Sequence, residues 1–109
     1  MGNTTFETAF FKDTCSVMGL IEARNLTTPV LEITTTKATL VLSHVDALII
    51  HKNPSSSSNK LSTITTVTLD GTAVKTITVK AGQSAHLVLK NHAEIDEKAI
   101  TGDYTITRE

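Results

Sequence analysis

From Val30 onward, apolar and polar residues alternate with the two-residue period of a β-strand, not the longer period of a helix. In residues 30–36, Leu31, Ile33 and Thr35 share one face, and Val30, Glu32 and Thr34 the other. Leu40 and Leu42 share a face in 38–43, as do Leu48 and Ile50 in 47–52. Segment 62–70 holds Ile64, Val67 and Leu69, and its phase slips by one at Thr65–Thr66, which predicts a bulge. In 73–81, Ala73, Ile77 and Val79 read as inward, with Lys75 out of place. Segments 85–91 and 103–109 complete the set, and Tyr104 and Ile106 share a face in the last.

The turn residues extend this pattern. Asp70-Gly71 separates two alternating runs, the strongest short hairpin signal in the chain. Gly82 and Gly102 stand where tight turns need positive φ. No amphipathic helix separates the strands, which excludes alternating strand–helix units. The prediction is an all-β fold: a single antiparallel β-sandwich or jelly-roll-like domain of about seven strands over residues 30–109, with an extended N-terminal arm at 1–29.

The arm holds every phenylalanine: Phe6, Phe10 and Phe11. Pro29 ends it and biases Thr28 to an extended backbone. In an extended arm Phe6 and Phe10 share a face and Phe11 takes the other. Left in water, the three rings would form an apolar patch of the kind soluble monomers rarely carry, so they are read as an assembly arm. Residues 53–60 are different in kind. Asn53, Pro54, Ser55, Ser56, Ser57 and Ser58 cannot build a core, and read as a solvated connector, or else as a contact loop.

Composition narrows the picture. A chain of 109 residues suits one domain, and with 4% aromatics and no Trp its core must be Ile, Leu and Val. About one residue in five is Thr, whose β-branch fits pleated strands and whose hydroxyl tolerates water. A net charge of −1 gives no reason to expect nucleic acid or an anionic membrane as partner. The first residues lack a basic start and an apolar stretch, so synthesis in the cytoplasm without a secretory signal is expected.

Candidate chemistry is sparse. His44, His51, His86 and His92 show no close spacing suited to a metal, and Cys15 has no cysteine to pair with. Lys12 near Cys15 is offset by Asp13, so nothing lowers the thiol's pKa. Glu94, Asp96 and Glu97 lack calcium-loop spacing. The chain is therefore expected to be no enzyme and to use no metal or cofactor.

The stretch TVTLDGTAVKTITVKAGQSAHLVLKN, with TGDYTI near the end, resembles small β-sandwich subunits of surface assemblies. These include phage virion decoration or fibre-base proteins and jelly-roll subunits of bacterial appendages. The resemblance implies a self-assembling structural protein, in a virion or capsid decoration or in a cell-surface filament. Its partners would be copies of itself or other subunits of the same assembly, joined through N-terminal arms. The alternative is a carbohydrate- or protein-binding β module, although Tyr104 is the one aromatic besides the arm's phenylalanines.

Overall fold

A computed structural model describes residues 3–52 and 64–109. Its strands are β1 (Thr4–Phe6), β2 (Ala9–Phe10), β3 (Thr14–Met18), β4 (Ile21–Arg24), β5 (Leu26–Thr34) and β6 (Lys37–Val41). They continue as β7 (His44–Ile50), β8 (Ile64–Asp70), β9 (Ala73–Val79), β10 (Ser84–Lys90), β11 (Ile100–Thr101) and β12 (Asp103–Arg108). One turn of 3-10 helix, Glu97–Ala99, precedes β11.

Strand content agrees with the alternation, but the architecture does not. Every pairing between these strands is parallel. One sheet runs β1-β4-β6-β8-β10-β12, and the other runs β11-β9-β7-β5-β2, with β3 also on β5. The chain thus passes from one sheet to the other and back, forming a β-solenoid of about five turns. This overturns the antiparallel sandwich or jelly roll of about seven strands. The physical reason lies at Gly71. The expected hairpin turn is a coil corner: Gly71 has φ 66°, and the strands on either side, β8 and β9, lie in different sheets. The resemblance to sandwich subunits of virions and appendages falls with that hairpin, and nothing in the solenoid points to a virion.

Residues 3–29 are not drawn out from the domain as an arm. β1 to β4 form the first turn and the start of the second, and β5 runs through position 29. Thr4 stacks on Ile21 and Ile21 on Ala38, 17 residues apart each time. The next step, Ala38 to Val67, spans 29 because it takes in the serine-rich segment, and Val67 to Leu87 spans 20.

The core is a set of columns parallel to the coil axis. Cys15, Leu31, Leu48, Ile77 and Ile100 stack in one, and all are at most 9% exposed. Val17, Ile33, Ile50 and Val79 form a second, and Ala23, Leu40, Leu69 and Leu89 a third. Each strand gives alternate side chains to this interior and sends the others, often Thr, to solvent. Three details differ from the alternation as read. No bulge interrupts Thr65, Val67 and Leu69, which are all buried, while Ile64 lies outside. Leu42 is 65% exposed because it occupies a corner. Val74, not Ala73, is buried in β9; the pairing register passes over Pro29, Asp46 and Lys75, where the phase resets.

Candidate functional site

The phenylalanines close the first turn. The corner at residues 7 and 8 resets the phase, so Phe6 and Phe11 face inward and Phe10 outward, not Phe6 with Phe10. Phe6 sits beside Ala23 and meets Phe11 edge to face, with ring centroids 5.5 Å apart at 79°. Both rings are half-buried and packed against the core. Phe10 is 70% exposed, and Met18, outward on β3, is 58% exposed. The chain thus docks two rings on itself and displays the third.

The other expected site residues lie apart. Asn53, Pro54, Ser55, Ser56, Ser57 and Ser58 fall outside the described residues. Cys15 is 2% exposed inside its column, and burial pushes its thiol up from the ordinary value, away from the thiolate a nucleophile needs. The four histidines do not converge. His44 Nε2 lies 3.4 Å from Asp46, which Lys75 also approaches at 3.6 Å. His86 Nε2 lies 2.8 Å from Thr107 Oγ1 on the neighbouring strand β12 of the same sheet, the one that does not hold His44. His92 is exposed just past a corner, with φ 66°. Among the described residues no group of three His, Cys, Asp or Glu side chains is placed to hold a metal.

The nearest approach to catalytic geometry involves residues the alternation did not single out as a group. Ser16 Oγ donates to Glu32 Oε2 at 3.3 Å, and His51 Nε2 lies 3.1 Å from Glu32 Oε1. The residue types are those of a hydrolytic triad, but their order is wrong. Histidine must stand between serine and carboxylate to take the serine proton. Here the carboxylate stands in the middle, and the cluster ties β3, β5 and the end of β7 together on the surface. Stacking β3 on β5 and β5 on β7 creates this group, so only the coil period would have revealed it.

Near the C-terminus the acidic stretch has structural partners. Asp96 caps the 3-10 turn by accepting from the Lys98 N–H at 2.9 Å. Glu94 lies 3.6 Å from Arg108, and Glu97 accepts from the Tyr104 hydroxyl at 3.2 Å. Partial desolvation and that hydrogen bond both raise the Tyr104 pKa.

What remains is the solenoid's ends. β1, β2 and β3 bound it on one side and β11 and β12 on the other, and among the described strands none pairs beyond them. A strand edge is a row of main-chain donors and acceptors ready to pair with another chain. No helix among the described residues is long and apolar enough to cross a membrane. No family, curated protein or solved structure matches the chain, so its functional reading rests on this geometry alone.

Proposed function

We propose that the protein is a non-enzymatic structural subunit, joined to neighbouring subunits through the ends of its coil. The observation that supports this is the pair of sheet edges, bounded by β1 to β3 at one end and by β11 and β12 at the other. A parallel coil repeats its own pairing surface at each turn, so an end is a template for a further layer of strand. The displayed Phe10 beside the first-turn edge favours the same reading, since an isolated ring in water is a cost that a joint removes. The serine–glutamate–histidine cluster offers no competing chemistry, because its carboxylate stands where the base would have to be. Sedimentation of the full chain over a wide concentration range tests the proposal. A species heavier than one chain, lost on substitution of end residues, is the expected result. A monomer at every concentration would overturn it.

A second reading has one observation in its favour. On the outer face of the β1-to-β12 sheet, Thr39 and Thr68 are neighbours in register beside Thr66, and Thr105 and Thr107 follow on β12 across His86 and Val88 of β10. This hydroxyl face suits a polar polymer such as a polysaccharide, and retention on one that is lost in Thr68→Lys would favour this reading over the first.

A further inference from the structure

The two ends differ in kind, and the difference specifies how copies meet. Edge strands are kept from pairing by charges placed along them. β12 carries Asp103 and Arg108, and residues 94–109 hold five carboxylates against two cations. The polar contacts there fold that end onto itself: Arg108 on Glu94, Tyr104 on Glu97, Lys90 on Glu109 at 3.7 Å. The strands of the first turn have no such guard. Thr4–Phe6, Ala9–Phe10 and Thr14–Met18 contain no charged residue. They expose Phe10 and Met18 instead.

We infer that two copies of the chain join first turn to first turn about a two-fold axis, leaving the acidic ends outward. This rests on the assembly reading above and adds its polarity. A head-to-tail joint would set the apolar strands of the first turn against the acidic last one, stripping five carboxylates of water with Lys12 the one first-turn side-chain cation among the described residues to oppose them. A joint between two last turns would bring two acidic surfaces together. The first-turn pair carries least of both costs, since its Glu7, Lys12 and Asp13 stand between the strands and not on them, and a self-complementary patch closes as a two-fold dimer. With the axis normal to the sheets, β1 lies antiparallel to the partner's β1, and β3 to the partner's β3. The hydrogen-bond pattern suits this. Gly19 N–H donates inward to Thr34 at 2.9 Å, so by alternation the N–H of Ser16, at the middle of β3, faces the outer edge.

The test uses the full chain. Sedimentation equilibrium should give a dimer whose dissociation constant rises at least about tenfold in Phe10→Asp and in Ser16→Pro, with circular dichroism unchanged; Pro removes the edge N–H and the side-chain bond to Glu32, and Ser16→Ala, which loses only the latter, should leave the dimer intact. Ser16→Cys should form an intermolecular disulfide, Thr105→Cys on β12 should not, and the wild type, whose Cys15 is buried, serves as the blank. A mixed disulfide between Ser16→Cys and Thr105→Cys copies would show head-to-tail joints, overturning this polarity while leaving the assembly reading standing. A disulfide of Thr105→Cys with itself would equally overturn the polarity. A wild type that stays monomeric at high concentration would overturn both.

Discussion

The solenoid turns two corners per coil, and they are built on different principles. At the first, the chain spends only one or two residues between β1 and β2, β4 and β5, β6 and β7, or β8 and β9, and nine between β10 and β11, where the 3-10 turn is inserted. At the second it spends two residues between β5 and β6, 13 between β7 and β8, and four between β9 and β10. The first corner is set by backbone conformation. Asn25, Leu42, Gly71 and Asn91 stack there, all with φ between 49° and 66°. Their N–H groups make a ladder from Asn25 to Val41, Leu42 to Asp70 and Gly71 to Lys90, at 2.9 to 3.0 Å. Ser43 Oγ accepts from the Leu26 N–H at 3.2 Å, and Thr72 Oγ1 donates to the Leu40 carbonyl at 2.7 Å, so the buried polar groups just past the bend are matched from one coil to the next. The second corner is held by side chains. Gln83 Nε2 donates to Thr65 Oγ1 at 2.8 Å, and Thr65 Oγ1 donates to the Thr35 carbonyl at 2.6 Å. Side chains can bridge corners of unequal length inside the coil, whereas the first corner keeps its one or two residues in every inner coil and lengthens only after Asn91, on the way to the last turn.

The contrast is sharpest under insertion. One extra residue after Arg24 would move the strands that follow out of phase and send their apolar faces to solvent, so we expect loss of cooperative thermal unfolding, equivalent to more than about 4 kcal/mol. The same insertion after Lys52 should leave the melting curve almost unchanged. Next in size is the buried ladder of the second corner. Gln83→Leu leaves Thr65 without that donor, and a loss of about 1–3 kcal/mol in denaturant unfolding is expected. Gly71→Ala tests the first corner. It combines φ 66° with a new Cβ 3.0 Å from Leu42 Cδ2, and should cost about 1–2 kcal/mol. Gly71→Asn should cost less than Gly71→Val, because Asn tolerates the left-handed region. If Val is tolerated as well as Asn, backbone conformation does not set this corner. Deleting residues 53–63 should change stability by less than about 1 kcal/mol, since closure entropy depends only weakly on length.

The smallest effect is a control that lies in neither corner. Burial raises the Cys15 pKa above its ordinary value of 9.0, so the unfolded chain releases that proton first as pH rises. The thiol's contribution is flat below that value and is lost above it. Denaturation midpoints of wild type and Cys15→Ala should therefore keep a constant separation below pH 9.0 and converge only above it, because other titrating groups cancel in the difference.

These corners also explain what was legible in the sequence. Inward residues such as Leu31, Ile33, Leu48 and Ile50 were readable, because alternation is the same in parallel and antiparallel sheets. Parallel topology was not, because a left-handed residue after an apolar strand serves a hairpin and a coil corner equally well, as Gly71 shows. The distinguishing signal was the repeat itself. IEARN, ATLVL, VTLDG and LVLKN each place two inward residues before a left-handed one, and the first two begin 17 residues apart. The 29-residue step and the variety of Asn, Leu and Gly at the corner mask that period from the eye. The Ser16–Glu32–His51 cluster and the unguarded edge of β3 were illegible for the same reason, since both exist only once the coils are stacked.

The uneven step lengths also bear on how the chain finds its fold. With no hairpin among the described residues to start from, the earliest strand contact is expected to close a loop about one coil long, which places the protein among slow, high-contact-order folders. Closing 17 residues twice, from Thr4 to Ile21 to Ala38, precedes closing 29, from Ala38 to Val67. The first turns, which hold the two shortest steps, are thus expected to nucleate, ahead of the 20-residue step from Val67 to Leu87 by a small margin in closure entropy, and the 29-residue step marks the seam. Folding rate should respond to substitutions in the Leu31–Leu48 column, while those in the Leu87–Ile106 pair should act chiefly on unfolding.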